Sequence, residues 1–319
     1  MRSVSAFLRS LAAPTLLSTA LALPLFSPFS PFPLFSAFES AATPVVFANE
    51  VPEGAATPVV FADEVPEGAA TRVEFVAFDG TSQRYFERLP ENFDPNRPTT
   101  LLIALHGHGS DGAQIFAGKY AEFNALLDVA AERGAIVVSP DYRDRTSWMG
   151  PAAEKDVAQI IAEQRDKRNV ARVVISGASM GGSSSLTFAV RRPDLIDGVV
   201  SINGTANHLE YEKFQDAISA SFGGSKAEVP LEYKNRSAEY FPERLIEKPS
   251  AFTLGGRDEI VPPDSAKRLA ETLQKIGGDV LLLYRPEGGH STTYGDVRAA
   301  AEFVFDALEQ AKTSPNDAK

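Results

Sequence analysis

The chain has 319 residues, 44% hydrophobic and 23% charged, with a formal net charge of -11. These proportions suit a globular protein with a sizeable core, and an acidic chain without a basic stripe argues against nucleic acid as a partner. There is no cysteine, which excludes disulfides, a thiol nucleophile, thiolate metal sites and a lipidated cysteine anchor.

The first element is a leader. Arg2 and Arg9 precede the apolar run LAAPTLLSTALAL (11–23), which is short for a bilayer span and fits a secretory h-region. Pro24, Pro28, Pro31 and Pro33 follow and forbid a continuing helix. Residues 1–48 are therefore expected to be a signal peptide and proline-rich leader, directing export to the periplasm or the exterior. Small residues around 37–48 leave several cleavage sites open. AATPVVFANEVPEG (41–54) is followed at once by AATPVVFADEVPEG (55–68), and the copies differ only at Asn49 and Asp63. Two copies of this length cannot build a solenoid. Their Pro, Glu and Gly content reads as a flexible linker over 41–70, outside the fold.

From Thr71 the pattern changes. TRVEFVAF and QRYFERL read as two strands around the turn at 79–82. TTLLIAL (99–105) is nearly all apolar, as expected of a strand buried on both faces. Residues 114–133 carry helical spacing, AIVVS (135–139) is another buried strand, and 151–168 is a helix with Pro151 at its start. RVVIS (172–176), a helix over 180–191 and DGVVSI (197–202) follow. SAFTL (250–254), a helix over 263–275, DVLLLY (279–284) and a helix over 294–311 close a domain expected to span 71–312, with 313–319 a disordered tail. Between 203 and 248 there is no clear sheet element, so a small cap is expected after the sixth strand. Strands alternating with helices imply a mostly parallel sheet covered on both faces. In such sheets, chemistry gathers at the carboxyl ends of the strands.

Three strand ends carry candidate groups. GASMGG (177–182) sits between a buried strand and a helix. A tight turn there can lift Ser179 clear as a nucleophile; the alternative is a small residue serving only the turn. A nucleophilic serine needs a base and the base an orienting acid. Of the four histidines, His290, in PEGGHSTT, occupies the last strand-end loop. GGRDEIVPP follows SAFTL and supplies Asp258, with Glu259 as runner-up; the previous strand ends in SINGTAN, with no carboxylate until Glu210. LLIALHGHGSDG ends a strand in a glycine-containing loop that can offer the His108 amide, beside that of Met180, to a developing oxyanion. His106 is read as pinning that loop. Trp148 and Tyr294 are candidate pocket residues. Tyr211, Phe214, Phe222, Tyr233, Tyr240 and Phe241 supply cap aromatics that either line a pocket or pack the cap.

LHGHGSDG, GASMGG, GGRDEIVPP and PEGGH, in that order at strand ends, resemble the α/β-hydrolase superfamily over roughly 71–311. The first and third resemble its phospholipase/carboxylesterase branch. The long helix before Ser179 and the Ser-Asp-His spacing resemble prolyl-oligopeptidase-type catalytic domains, feruloyl esterases and polyhydroxybutyrate depolymerases. The resemblance implies acylation at Ser179, with His290 as base then acid and Asp258 holding the imidazole. It implies neither metal nor organic cofactor, and a small-molecule ester as substrate. The related peptidases carry a large N-terminal domain where this chain has the repeat, which favours ester hydrolysis. A serine peptidase acting on short peptides and a non-catalytic binding protein of the same fold are the alternatives. No membrane span is expected in the mature domain, and the sequence leaves the oligomeric state open.

Overall fold

The computed structural model describes residues 63–312. The expected leader, the first repeat copy and the tail lie outside these residues. The described chain forms an eight-stranded sheet of order β1-β2-β4-β3-β5-β6-β7-β8. Its strands are β1 (Thr71–Val76), β2 (Ser82–Arg88), β3 (Thr99–Leu105), β4 (Ile136–Pro140), β5 (Val170–Ala178), β6 (Gly198–Ile202), β7 (Ser250–Gly255) and β8 (Val280–Arg285). β2 pairs antiparallel with both β1 and β4 at one edge, and the pairings from β4 through β8 are parallel.

Alternation along the buried strands divides the core in two. Leu101, Ile103 and Leu105 of β3 join the cluster under α2 (Pro151–Lys167), α3 (Met180–Arg191) and α6 (Asp264–Lys275). Leu102 and Ala104 join the cluster under α1 (Ala121–Glu132) and α7 (Tyr294–Lys312). Successive side chains leave a strand on opposite faces, so a continuous apolar run is needed where helices cover both. That is the mostly parallel sheet with helices on both faces that the sequence implies.

The strand order reverses at β3. The chain passes from β3 outward to β4 and returns to β5 on the other side of β3. The carboxyl ends of β3 and β5 are thus neighbours at the switch point, where open α/β sheets place their ligands. The register pairs Leu105 with Gly177, bringing the LHGHGSDG loop against the GASMGG turn.

Two expectations change. The apolar spacing over 114–133 is one periodic run in sequence but two pieces in space. A 3-10 turn, Gly112–Phe116, is capped by Asp111 accepting the Ala113 amide, and α1 begins only at Ala121. Gly118, at φ +71°, makes the break. The end of the repeat is also not a free linker. Val65, Ala69 and Ala70 pack against the α1/α7 core, and Asp63 is buried. Its apolar residues find an uncovered flank of the core and its carboxylate finds donors.

The expected cap, between β6 and β7, contains α4 (Gln215–Phe222), α5 (Pro230–Asn235) and two 3-10 turns. Tyr211, Phe222 and Tyr233 are buried in it, whereas Phe214 and Tyr240 stay exposed. Arg236, 1% exposed, holds the cap to α2 and to the β4–α2 loop through Glu154 at 3.0 Å and the Met149 carbonyl at 2.6 Å.

Candidate active site

Ser179 lies between β5 and α3 at φ 59°, ψ -117°, a backbone state that costs energy for any residue with a side chain and holds only where the surroundings enforce it. The surroundings here are backbone. A methyl group on Gly177 would lie 2.6 Å from the Leu105 carbonyl oxygen. One on Gly181 would collide with the same oxygen, and one on Gly182 would lie 2.5 Å from the Ile202 carbonyl oxygen. The Ser179 amide donates to Ile202 at 2.8 Å. The turn is therefore wedged between the ends of β3 and β6.

The other two strand ends meet it. His290 Nε2 is 2.9 Å from Ser179 Oγ, and His290 Nδ1 is 2.7 Å from Asp258 Oδ2. Asp258 Oδ1 accepts the amides of Ile260 and Val261, each at 2.9 Å, so Oδ2 is left for the imidazole. A carboxylate accepts only; Nδ1–H therefore donates to Asp258, and the Nε2 lone pair faces the serine hydroxyl. Asp258 is buried, while Glu259 is exposed and pairs with neither. The spacing between acid and base is set by main chain. Gly256 donates to Arg285 and Arg257 to Gly288, both at 2.7 Å, and Gly255 packs against Gly288 and Gly289 too closely for any side chain. Asn203, at the end of β6, donates its side-chain amide to the His290 carbonyl at 2.7 Å. Glu122, in the first turn of α1, adds a half-buried carboxyl that burial pushes up and the nearby His290 pulls down.

On the opposite side, the amides of His108 and Met180 have no hydrogen-bond partner among the described residues. Their neighbours do: Gly107 donates to Gln114 Oε1 at 2.8 Å, Gly109 to Arg145 at 2.8 Å and Ser110 to Gly107 at 3.2 Å. His106 is buried, with Nδ1 2.8 Å from the Gly107 carbonyl, and burial pushes its pKa down. Tyr142 donates to the His106 carbonyl at 2.7 Å. The β3 loop is therefore fixed at each position around His108, leaving one amide unused.

Trp148 is wholly buried and consecutive with Met149 in left-handed backbone. Its indole N–H donates to His108 Nδ1 at 3.1 Å, which makes it a support for the loop rather than a wall of an open pocket. Tyr294 starts α7 and donates to Asp128 of α1 at 2.7 Å. It lines a depression with Arg88, Phe116 and Leu127, to which none of Ser179, His290 and Asp258 contributes. Phe214, 37% exposed, stacks on the His108 ring at 4.3 Å and is the cap aromatic beside the loop. The sequence signals it only as one aromatic among six.

This arrangement coincides with two family matches. The prolyl oligopeptidase family matches residues 154–307, and the family described as "Putative esterase" matches residues 80–221. The chain has the α/β-hydrolase fold and is similar to esterases and serine peptidases of that fold. "Uncharacterized esterase Atu5261" of Agrobacterium fabrum is 29% identical over 32% of this chain and 17% of its own length. "Putative esterase YitV" of Bacillus subtilis is 26% identical over 56% of this chain and 76% of its own. Feruloyl esterase D of Neurospora crassa is 28% identical over 40% of this chain and 47% of its own. Among solved structures, a thermostable esterase (TM-score 0.53, 20% identity) covers 76% of this chain and 62% of its own. Porphyromonas gingivalis dipeptidyl peptidase 4 (TM-score 0.58, 16% identity) covers 74% of this chain and 35% of its own. The chain thus spans less than half the length of several of the proteins it matches. Among the described residues, no helix is long and apolar enough to cross a membrane.

Proposed function

We propose that the protein is an exported serine hydrolase that cleaves small carboxylic esters through an acyl-enzyme at Ser179. The observation that carries the reading is the unbroken chain Ser179–His290–Asp258, at 2.9 and 2.7 Å, on a nucleophile held in left-handed backbone. Ser179 Oγ attacks the ester carbonyl carbon as His290 Nε2 takes its proton. The carbonyl oxygen becomes an oxyanion held by the amides of His108 and Met180. The tetrahedral adduct expels the alcohol, which receives the proton from His290. Water then repeats the sequence on the acyl-enzyme and frees the acid and Ser179. Asp258 holds the imidazole in the required tautomer throughout. Export rests on the N-terminal sequence pattern alone.

The feruloyl esterase and YitV similarities support the ester reading. The prolyl oligopeptidase match over 154–307 favours a second one, hydrolysis of short peptide amides by the same groups. The test is turnover of p-nitrophenyl esters of graded acyl length and of aminoacyl p-nitroanilides by the full chain. Ser179→Ala is expected to lower ester turnover by about 10⁴-fold or more. Ester turnover that survives in Ser179→Ala rules the reading out, and faster anilide than ester cleavage selects the peptidase.

A further inference from the structure

The two copies of the 14-residue repeat differ at one position, and that position is Asp63. Its side chain is only 2% exposed. Three donors surround the carboxylate. Ser110 Oγ lies 3.3 Å from Oδ2, Tyr120 Oη 3.4 Å from Oδ2, and Lys119 Nζ 3.4 Å from Oδ1. A carboxylate this far from water persists only with such partners. Val65, Ala69 and Ala70 pack on the α1/α7 core just beyond it, so the segment is seated at both ends.

What Asp63 touches is the loop at the end of β3. Ser110 is two residues after His108. On the near side of His108, Gly107 donates to Gln114 Oε1 at 2.8 Å. Asp63 thus reaches the loop directly, through Ser110. The unused amide of His108 lies between Gly107, held by Gln114, and Ser110, held by Asp63.

We propose that Asp63 is a positioning residue that clamps the 106–111 loop from outside the sheet and so fixes the His108 amide where the oxyanion forms. This rests on the reading of Ser179 as nucleophile. The end of the second repeat copy is then part of the site's support, and Asp63 is the one position at which that copy departs from the first. An asparagine keeps an oxygen for Ser110 and Tyr120 but loses the charge facing Lys119, so it substitutes in part.

The test uses the full chain, a fluorophosphonate probe that phosphonylates Ser179 with loss of fluoride, and amide hydrogen exchange read by mass spectrometry. Asp63→Ala is expected to slow the maximal rate of phosphonylation about tenfold, less than the loss of an oxyanion donor outright, with the probe's half-saturating concentration within about twofold. Exchange should rise across 106–117 and stay unchanged across 264–275. Asp63→Asn should recover most of the rate, which a general loss of stability does not predict. Unchanged exchange across 106–117, or an unchanged maximal rate in Asp63→Ala, overturns the proposal. Wild-type protein that the probe leaves unlabelled overturns the Ser179 reading instead; the exchange difference then decides by itself whether Asp63 holds the loop.

Discussion

The turn carrying Ser179 and the cap over 203–249 are both built to hold something in place, by opposite means. The turn is held by main chain against main chain. Gly177, Gly181 and Gly182 bring it into contact with the ends of β3 and β6, where no Cβ fits. The cap is held by long side chains. Arg236 reaches Glu154, Glu232 and the Met149 carbonyl, and His208 is packed against Trp148 and Phe222. Backbone packing fixes a nucleophile to a fraction of an ångström but tolerates no added atom. Side-chain packing fixes a lid over the fold and costs stability, rather than geometry, when a partner is lost.

Three changes sharpen that contrast. The largest effect is expected from Gly181→Ala. Its methyl group collides with Leu105, so the turn must shift; turnover should fall about 10²-fold or more, since a displacement near 1 Å suffices. Steady-state kinetics on the best ester checks this. Arg236→Ala comes next. It leaves Glu154 without one of its two arginine partners in the cap–α2 contact, and loss of one member of a buried pair costs about 3–5 kcal/mol. Denaturant unfolding should show that loss while kcat per folded molecule stays near wild type. A fall in kcat with unchanged stability would erase the distinction between the two regions.

The smallest effect concerns pH. Thr187 Oγ1 donates to the Arg236 carbonyl at 2.8 Å, so the hydrogen in its 3.1 Å contact with His208 comes from Nε2. His208 Nδ1 is buried without a partner. Burial first, then Arg236 and Lys226, pushes this histidine down to about 3. The unfolded chain therefore binds a proton below about pH 6.5 that the folded chain refuses. Stability from this group is full above that pH and is lost progressively as pH falls toward 3. His208→Gln, which retains a donor toward Thr187, is expected to flatten the acid limb of a Tm-against-pH curve. An unaltered acid limb would remove His208 from the account of cap stability.

The contrast also explains what could be read in advance. Ser179, Asp258 and His290 each stand in a short glycine-containing segment directly after an apolar run, and glycine marks the places where main chain must pass close or turn sharply. The inner strands β3 to β7 are legible because burial on both faces demands continuous apolar residues, and β1 and β2 because a turn separates them. The break at Gly118 is less so, because Ile115 and Phe116 face the same core as the helix that follows and keep its spacing. Trp148 and Tyr294 are large and near strand-end loops in sequence, yet one is buried beneath His108 and the other leans on α1. Which way a loop aromatic turns depends on its tertiary neighbours, not on its own periodicity. Asp63 is invisible for the same reason: its donors come from 47 to 57 residues away.

The sequence by itself determined the alternation of strands and helices, the crossing points where only glycine fits, and the three residues that close into the Ser-His-Asp cluster. Each is a local property of chain stiffness, burial and backbone sterics. Only the tertiary structure decided that the β3 loop leaves the His108 amide unpaired, that Phe214 rather than Trp148 stands open beside it, and that the stretch from Asp63 to Ala70 lies against the fold. Those outcomes depend on hydrogen-bond partners and packing surfaces that distant segments supply, and these exist only once the sheet has assembled.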